Sequence, residues 1–419
     1  MKQALFTRNF ILLILGQASS LFGNFILKLA LSMYVLEETG SAAVFAGILS
    51  VSTIPTILLS PFGGILADRA DKKKIMVALD TLTGLFVLCA ALFLPVQNPL
   101  VVIGVLLVAL SVLGAFETPT VQACIPFMLA GDNIIRGNAV VNQIASISYL
   151  VAPMLGGLLY AAFGLLPVMY ASIVCFFLTA FLECFIKLDF RRVENSGNVF
   201  RSIGQDFSES IRFIGKEQPD ILKMLLLAAL SRFFVMGITM VGLPYLVRSV
   251  LGFSAEYYGA AESILAVATI VGSILAGLLT AKLQTGKLSI VFSLIGLAII
   301  PAGIAFLLPV GRHIIYGVNM LSFCVMQIAI SIFSIFAVSF IQQKTPEHLI
   351  GKVMAYTSAI TLCVQPIGQM VYGFLFDGFR DAVYLVLIPT GVIAGAVGLL
   401  SKGLFGRMAG QNSDHSFKK

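Results

Sequence analysis

Four charged residues sit inside long apolar runs: Lys28, Glu117, Arg232 and Glu262. A charge held in hydrocarbon is costly, so such residues mark ion paths, ligand contacts or static ion pairs. Glu117 or Glu262 could bind and release a proton as its access to water alternates. Lys28 and Arg232 could pair with these acids, and Lys28 could also snorkel to the membrane surface. Asp80 and Glu183 lie nearer the ends of their runs and are expected at the interface. Among uncharged polar residues, Asn24, Gln143 and Gln365 are the candidates for touching a bound molecule, although such side chains also join helices by hydrogen bonds.

Two further stretches could move rather than bind. Gly63-Gly64-Ile65-Leu66-Ala67-Asp68-Arg69-Ala70-Asp71-Lys72-Lys73-Lys74 separates two apolar runs. Its glycines admit a neighbouring backbone, and its basic cluster is too costly to drag through lipid. It can serve as hinge, latch or topological anchor. Ala152-Pro153-Met154-Leu155-Gly156-Gly157 places Ala152 and Gly156 four apart, the spacing that lets helices approach, while Pro153 frees a carbonyl and can bend its helix. The three His are scattered, the Cys fall in apolar runs without metal-ligand spacing, and no nucleophile constellation or ATP-binding loop is present. An enzyme, a catalytic residue, a metal and a cofactor are therefore not expected.

The elements that hold these residues follow from composition. Of 419 residues, 58% are hydrophobic and 11% charged, against about 25% charged in a soluble domain. The sequence predicts an all-α membrane protein with twelve spans, over 10–36, 42–67, 75–95, 99–129, 138–162, 165–186, 221–247, 256–281, 288–308, 313–340, 352–376 and 382–402. Pro119 and Pro126 predict that the fourth is kinked or ends early. No cleavable leader is expected at the N-terminus. With that terminus in the cytoplasm, 22 of the 27 Lys and Arg fall on the inner side, three (Arg248, Arg312, Arg380) on the outer side and two within spans. That bias predicts cytoplasmic termini, and the spread of basic residues along one membrane face argues against nucleic acid as a partner.

A hydrophilic segment, Lys187 to Asp220, divides the spans six and six, and Phe200, Ile203, Phe207, Ile211 and Ile214 within it stand at the spacing of an amphipathic surface helix. The expected domains are a six-helix bundle over 1–186, a linker over 187–220, a second bundle over 221–405 and a cytoplasmic tail over 406–419. Gly64 and Gly277, and Pro153 and Pro366, share one offset of 213 residues. A duplicated six-helix unit, with two pseudo-symmetric bundles, accounts for that offset.

Span number, the central division and orientation resemble the major facilitator superfamily over essentially the whole chain. Gly64-x-Leu66-Ala67-Asp68-Arg69 with Lys72-Lys73-Lys74 resembles its signature loop, and Ala152-Pro153-Met154-Leu155-Gly156-Gly157 its antiporter motif, with Ala152 where Gly is usual. Asn9-Phe10, Gly16-Gln17, Ser20-Leu21-Phe22-Gly23-Asn24 and Glu38-Thr39-Gly40-Ser41 are similar to the macrolide-efflux and enterobactin-exporter branch. There an Asp commonly stands at Asn24 and an Arg at Lys28, and Asn24 cannot titrate. The resemblance implies a cytoplasmic latch at Gly64, Asp68 and Arg69, and a helix hinge at Pro153, Gly156 and Gly157. It also implies a monomeric exporter of small amphipathic compounds in a bacterial-type cell membrane, driven by the proton gradient. An importer, a lysophospholipid-like lipid transporter and a non-transporting sensor are the alternatives.

Overall fold

The computed structural model describes residues 5–188, 218–279, 287–346 and 349–403. The expected surface helix at 200–214 and the tail at 406–419 lie outside the described residues. The side chains of Gly64, Asp68 and Arg69 also lie outside them, although their backbone continues α2. The described residues hold no strand. Twelve helices follow in order: α1 Arg8–Thr39, α2 Ala42–Arg69, α3 Lys72–Phe93, α4 Pro99–Met128, α5 Asp132–Phe163 and α6 Leu165–Cys184, then α7 Pro219–Val250, α8 Ala255–Leu279, α9 Leu288–Ala305, α10 Arg312–Lys344, α11 Ile350–Gly378 and α12 Tyr384–Leu400. Eleven are long and apolar enough to cross a membrane, and α12 is apolar with 17 residues.

Local chemistry explains several of these ends. The carboxylate of Asp71 accepts from the backbone N–H of Lys73 and Lys74 and so opens α3. Gly40, in the left-handed conformation at φ 60°, closes α1. Asn9 and Lys187 exchange two hydrogen bonds, which ties the start of α1 to the end of α6. Of the two outcomes expected for α4, a kink or an early end, the early end does not occur: the helix runs through Pro119 and Pro126 to Met128, close to the expected 99–129. Pro119 has no N–H to offer the Ala115 carbonyl four residues back. Gly63 of α2 packs against that carbonyl so closely that any side chain at 63 would collide with it. The freed oxygen thus faces a glycine backbone, where a weak Cα–H contact is sterically available.

The helices fall into two compact units. One holds the described residues of Met1–Gly40, Gly47–Asn195 and Val247–Ser263, and the other those of Ser41–Ala46, Ser196–Leu246 and Ile264–Lys419. In the first, α1 packs on α5 and α6, and α3 on α4 and α6; in the second, α7 packs on α11, and α9 on α10 and α12. Apart from the α1–α6 contact, whose counterpart between α7 and α12 is slight, the second pattern is the first moved on by six helices. The exchanged pieces repeat as well: Ser41 and Ala42 open α2, and Ser254 and Ala255 open α8, at the same 213-residue offset. The order of helices thus repeats after six, as the shared offset of 213 residues leads one to expect.

Candidate functional site

One end of the first unit is an apolar plug. Phe10, Leu13, Met76, Val121, Cys124, Ile125, Leu129 and Ile186, from α1, α3, α4 and the exit of α6, are all buried together. One turn deeper, the same four helices turn acids towards one another. Asp80 of α3 is 3% exposed and Glu183 of α6 is 0% exposed. The single hydroxyl proton of Ser20, on α1, is shared between Asp80 Oδ1 at 2.9 Å and Glu117 Oε1, from α4, at 3.3 Å. No N–H or O–H donor among the described residues reaches either Glu183 oxygen; the polar group its carboxyl meets is the carboxyl of Asp80. The amide nitrogen of Gln17, one turn from Ser20 on α1, is buried without a partner.

Small residues make this convergence possible. Gly16 leaves room for α6: a Cβ there would stand 3.3 Å from Thr179 Cγ2 and 3.7 Å from Glu183 Cγ. The Thr179 hydroxyl donates to the Gly16 carbonyl at 3.0 Å and holds the two helices in that contact.

Asp80 and Glu183 were expected at the membrane interface. Their burial corrects that reading. Sequence position put them near helix ends, but packing of α1 and α4 over those ends removes them from the surface. Lys28, also on α1, has an exposed side chain and forms no ion pair with a carboxylate among the described residues. Glu262 stands apart from the cluster and accepts a hydrogen bond from Tyr258 one turn before it on α8. Arg232 forms no ion pair with a carboxylate among the described residues, so the static-pair expectation fails for it; its Nη2 donates to Gln365 Oε1 at 3.2 Å. Asn24 is partly buried with an unpartnered side-chain oxygen, and Gln143 is exposed.

The Pro153 segment is a close-packed joint. A Cβ at Gly156 would stand 3.1 Å from the Ile26 Cα of α1. Gly157 faces the Ala255 carbonyl of α8, and Gly259 of α8 in turn faces the Pro153 carbonyl. At the opposite end of the same unit from the apolar plug, Arg248 pairs with Glu37, which also accepts from the Tyr160 hydroxyl at 2.8 Å.

Comparison with known proteins agrees with the fold. The family model described as Major Facilitator Superfamily matches residues 13–368. Macrolide efflux protein A of Streptococcus pyogenes is 24% identical over 388 residues, covering 91% of this chain and 93% of that protein. The multidrug efflux pump Tap of Mycolicibacterium fortuitum is 23% identical, covering 90% and 91%. Among solved structures, a bacterial homologue of the iron transporter ferroportin, in an inward-facing state, superposes with a TM-score of 0.73 at 18% identity over 94% of this chain and 98% of that one.

Proposed function

The chain belongs to the Major Facilitator Superfamily, and on that premise we infer that it is a proton-coupled exporter of small amphipathic organic compounds, working by alternating access. Membership makes it a multi-pass membrane transporter and not an enzyme. The efflux proteins that resemble it along most of their length support the outward direction.

One observation carries the proton coupling: Asp80 and Glu117 meet at the Ser20 hydroxyl, with the fully buried Glu183 on the neighbouring α6. Carboxyls crowded in this way titrate as one coupled group and share protons among themselves. Lys28, on the same helix as Ser20, is the proposed cation that balances the charge left by a departing proton. The loop of Gly64, Asp68 and Arg69 is the proposed cytoplasmic latch, and Pro153, Gly156 and Gly157 form the proposed joint about which α5 moves. Both termini are placed in the cytoplasm, and one copy suffices.

Energised everted vesicles challenged with a panel of macrolides, dyes and siderophores test this reading. An added compound should trigger proton release and accumulate inside the vesicles. Uptake in the opposite sense would make the protein an importer. Movement of no compound, with folded protein in the membrane, would overturn the reading.

A further inference from the structure

The second unit contains a half-buried cation with no counter-charge among the described residues. Arg232 lies on α7, where a guanidinium presents five N–H donors to its surroundings. One of them reaches Gln365 Oε1 on α11 at 3.2 Å. The Nε–H is buried and meets no acceptor. No carboxylate among the described residues forms an ion pair with Arg232. In the described residues of the second unit, Asp377 lies at the far end of α11 and is already occupied, accepting from Ser41 and from the backbone N–H of Ala42 and Ala43. Asp220 lies at the start of α7 and faces Lys223, and Asp381 lies in the turn that follows α11.

Local packing holds the guanidinium in place. Gly368, three residues beyond Gln365, lets α11 press against the Phe233 backbone, where a Cβ would stand 2.6 Å from the Phe233 oxygen. The Phe233 ring lies 5.9 Å from that of Tyr372 on α11. Beyond Arg232, α7 widens into a π-helix over Ile238–Gly242, a distortion frequent at functional sites. The Gln365 amide accepts from Arg232 through its oxygen. A guanidinium whose Nε–H lacks an acceptor among the described residues offers a charged donor suited to a carboxylate oxygen.

We propose that Arg232 and Gln365 form a binding site for an anionic group of the cargo, a carboxylate in the first instance. The cargo is then an amphipath with an acidic group rather than a purely cationic one. This rests on the exporter reading above, but not on its proton coupling.

Purified full-length protein in maltoside micelles provides the test, with pyrenebutyrate as the anionic probe and pyrenebutanol as its uncharged counterpart. A hydrogen-bonded charge pair predicts that wild-type protein prefers the carboxylate about tenfold. Arg232→Gln should abolish that preference by weakening pyrenebutyrate alone, and Arg232→Lys should retain part of it. Equal wild-type affinity for the two probes overturns the proposal without recourse to any variant, as does a preference unchanged in Arg232→Gln. Loss of the preference when phosphatidylglycerol, but not phosphatidylcholine, is added to the micelles assigns the site to a lipid headgroup and overturns the cargo assignment. No gradient is present in this measurement. Failure of proton coupling therefore leaves it standing, and its own failure leaves proton coupling untouched.

Discussion

Ser20 Oγ lies 2.9 Å from Asp80 Oδ1 and 3.3 Å from Glu117 Oε1, so one hydroxyl bridges acids from two different helices. Replacement by Ala removes the bridge and leaves both carboxyls in place. Ser20→Ala should lower gradient-driven export several-fold with abundance unchanged, as read by transport in vesicles and immunoblotting of membranes. Unaltered export would show that the bridge is incidental.

Gly63 and Gly47 are both on α2, and they offer a matched pair. Gly63 faces the Ala115 carbonyl, whereas a Cβ at Gly47 would meet nothing within 4 Å. Gly63→Val should destabilise the protein by about 1–3 kcal/mol through overpacking, with Gly47→Val close to neutral. Thermal unfolding in detergent distinguishes the two, and equal midpoints would contradict the packing assignment.

Asp377 supplies a carboxylate to the N-terminus of α2 through Ser41 and the N–H groups of Ala42 and Ala43. Loss of such a cap costs about 0.5–2 kcal/mol. Asp377→Ala should lower the unfolding midpoint accordingly, while Asp377→Asn, which keeps an acceptor oxygen, should recover part of the loss.

Asp68→Asn tests the latch. Insertion and abundance should remain near wild type while export falls severely. Normal export by this variant would reduce the loop to a topological anchor.

The contrast between Glu117 and its neighbours shows how far the sequence could be read. Glu117 announces itself as a charge in the middle of an apolar run. Asp80 and Glu183 do not, because position near a helix end resembles position at a membrane surface until the neighbouring helices are known. A local signal did exist: Thr179 and Glu183 stand one turn apart on α6, and Gly16, Gln17 and Ser20 form a small polar face on α1. Those two faces meet only because α1 and α6 pack together, which is tertiary information. The twelve helices and the duplication were legible for the opposite reason. Apolar length and a repeated offset are properties of the chain itself, and Ser41 and Ser254 extend the offset already visible at Pro153 and Pro366. The lone charge of Arg232 was visible too, but the lack of a carboxylate beside it required the fold.

The central claim is that the Asp80, Glu117 and Glu183 cluster ties proton movement to cargo movement. The most direct test separates exchange from gradient-driven transport in proteoliposomes, with a compound found to move in the everted-vesicle panel. Glu117→Gln should exchange labelled for unlabelled compound at nearly the wild-type rate, yet fail to accumulate it when a pH gradient is imposed. Gradient-driven accumulation equal to wild type in Glu117→Gln, and again in Asp80→Asn and Glu183→Gln, would contradict the account.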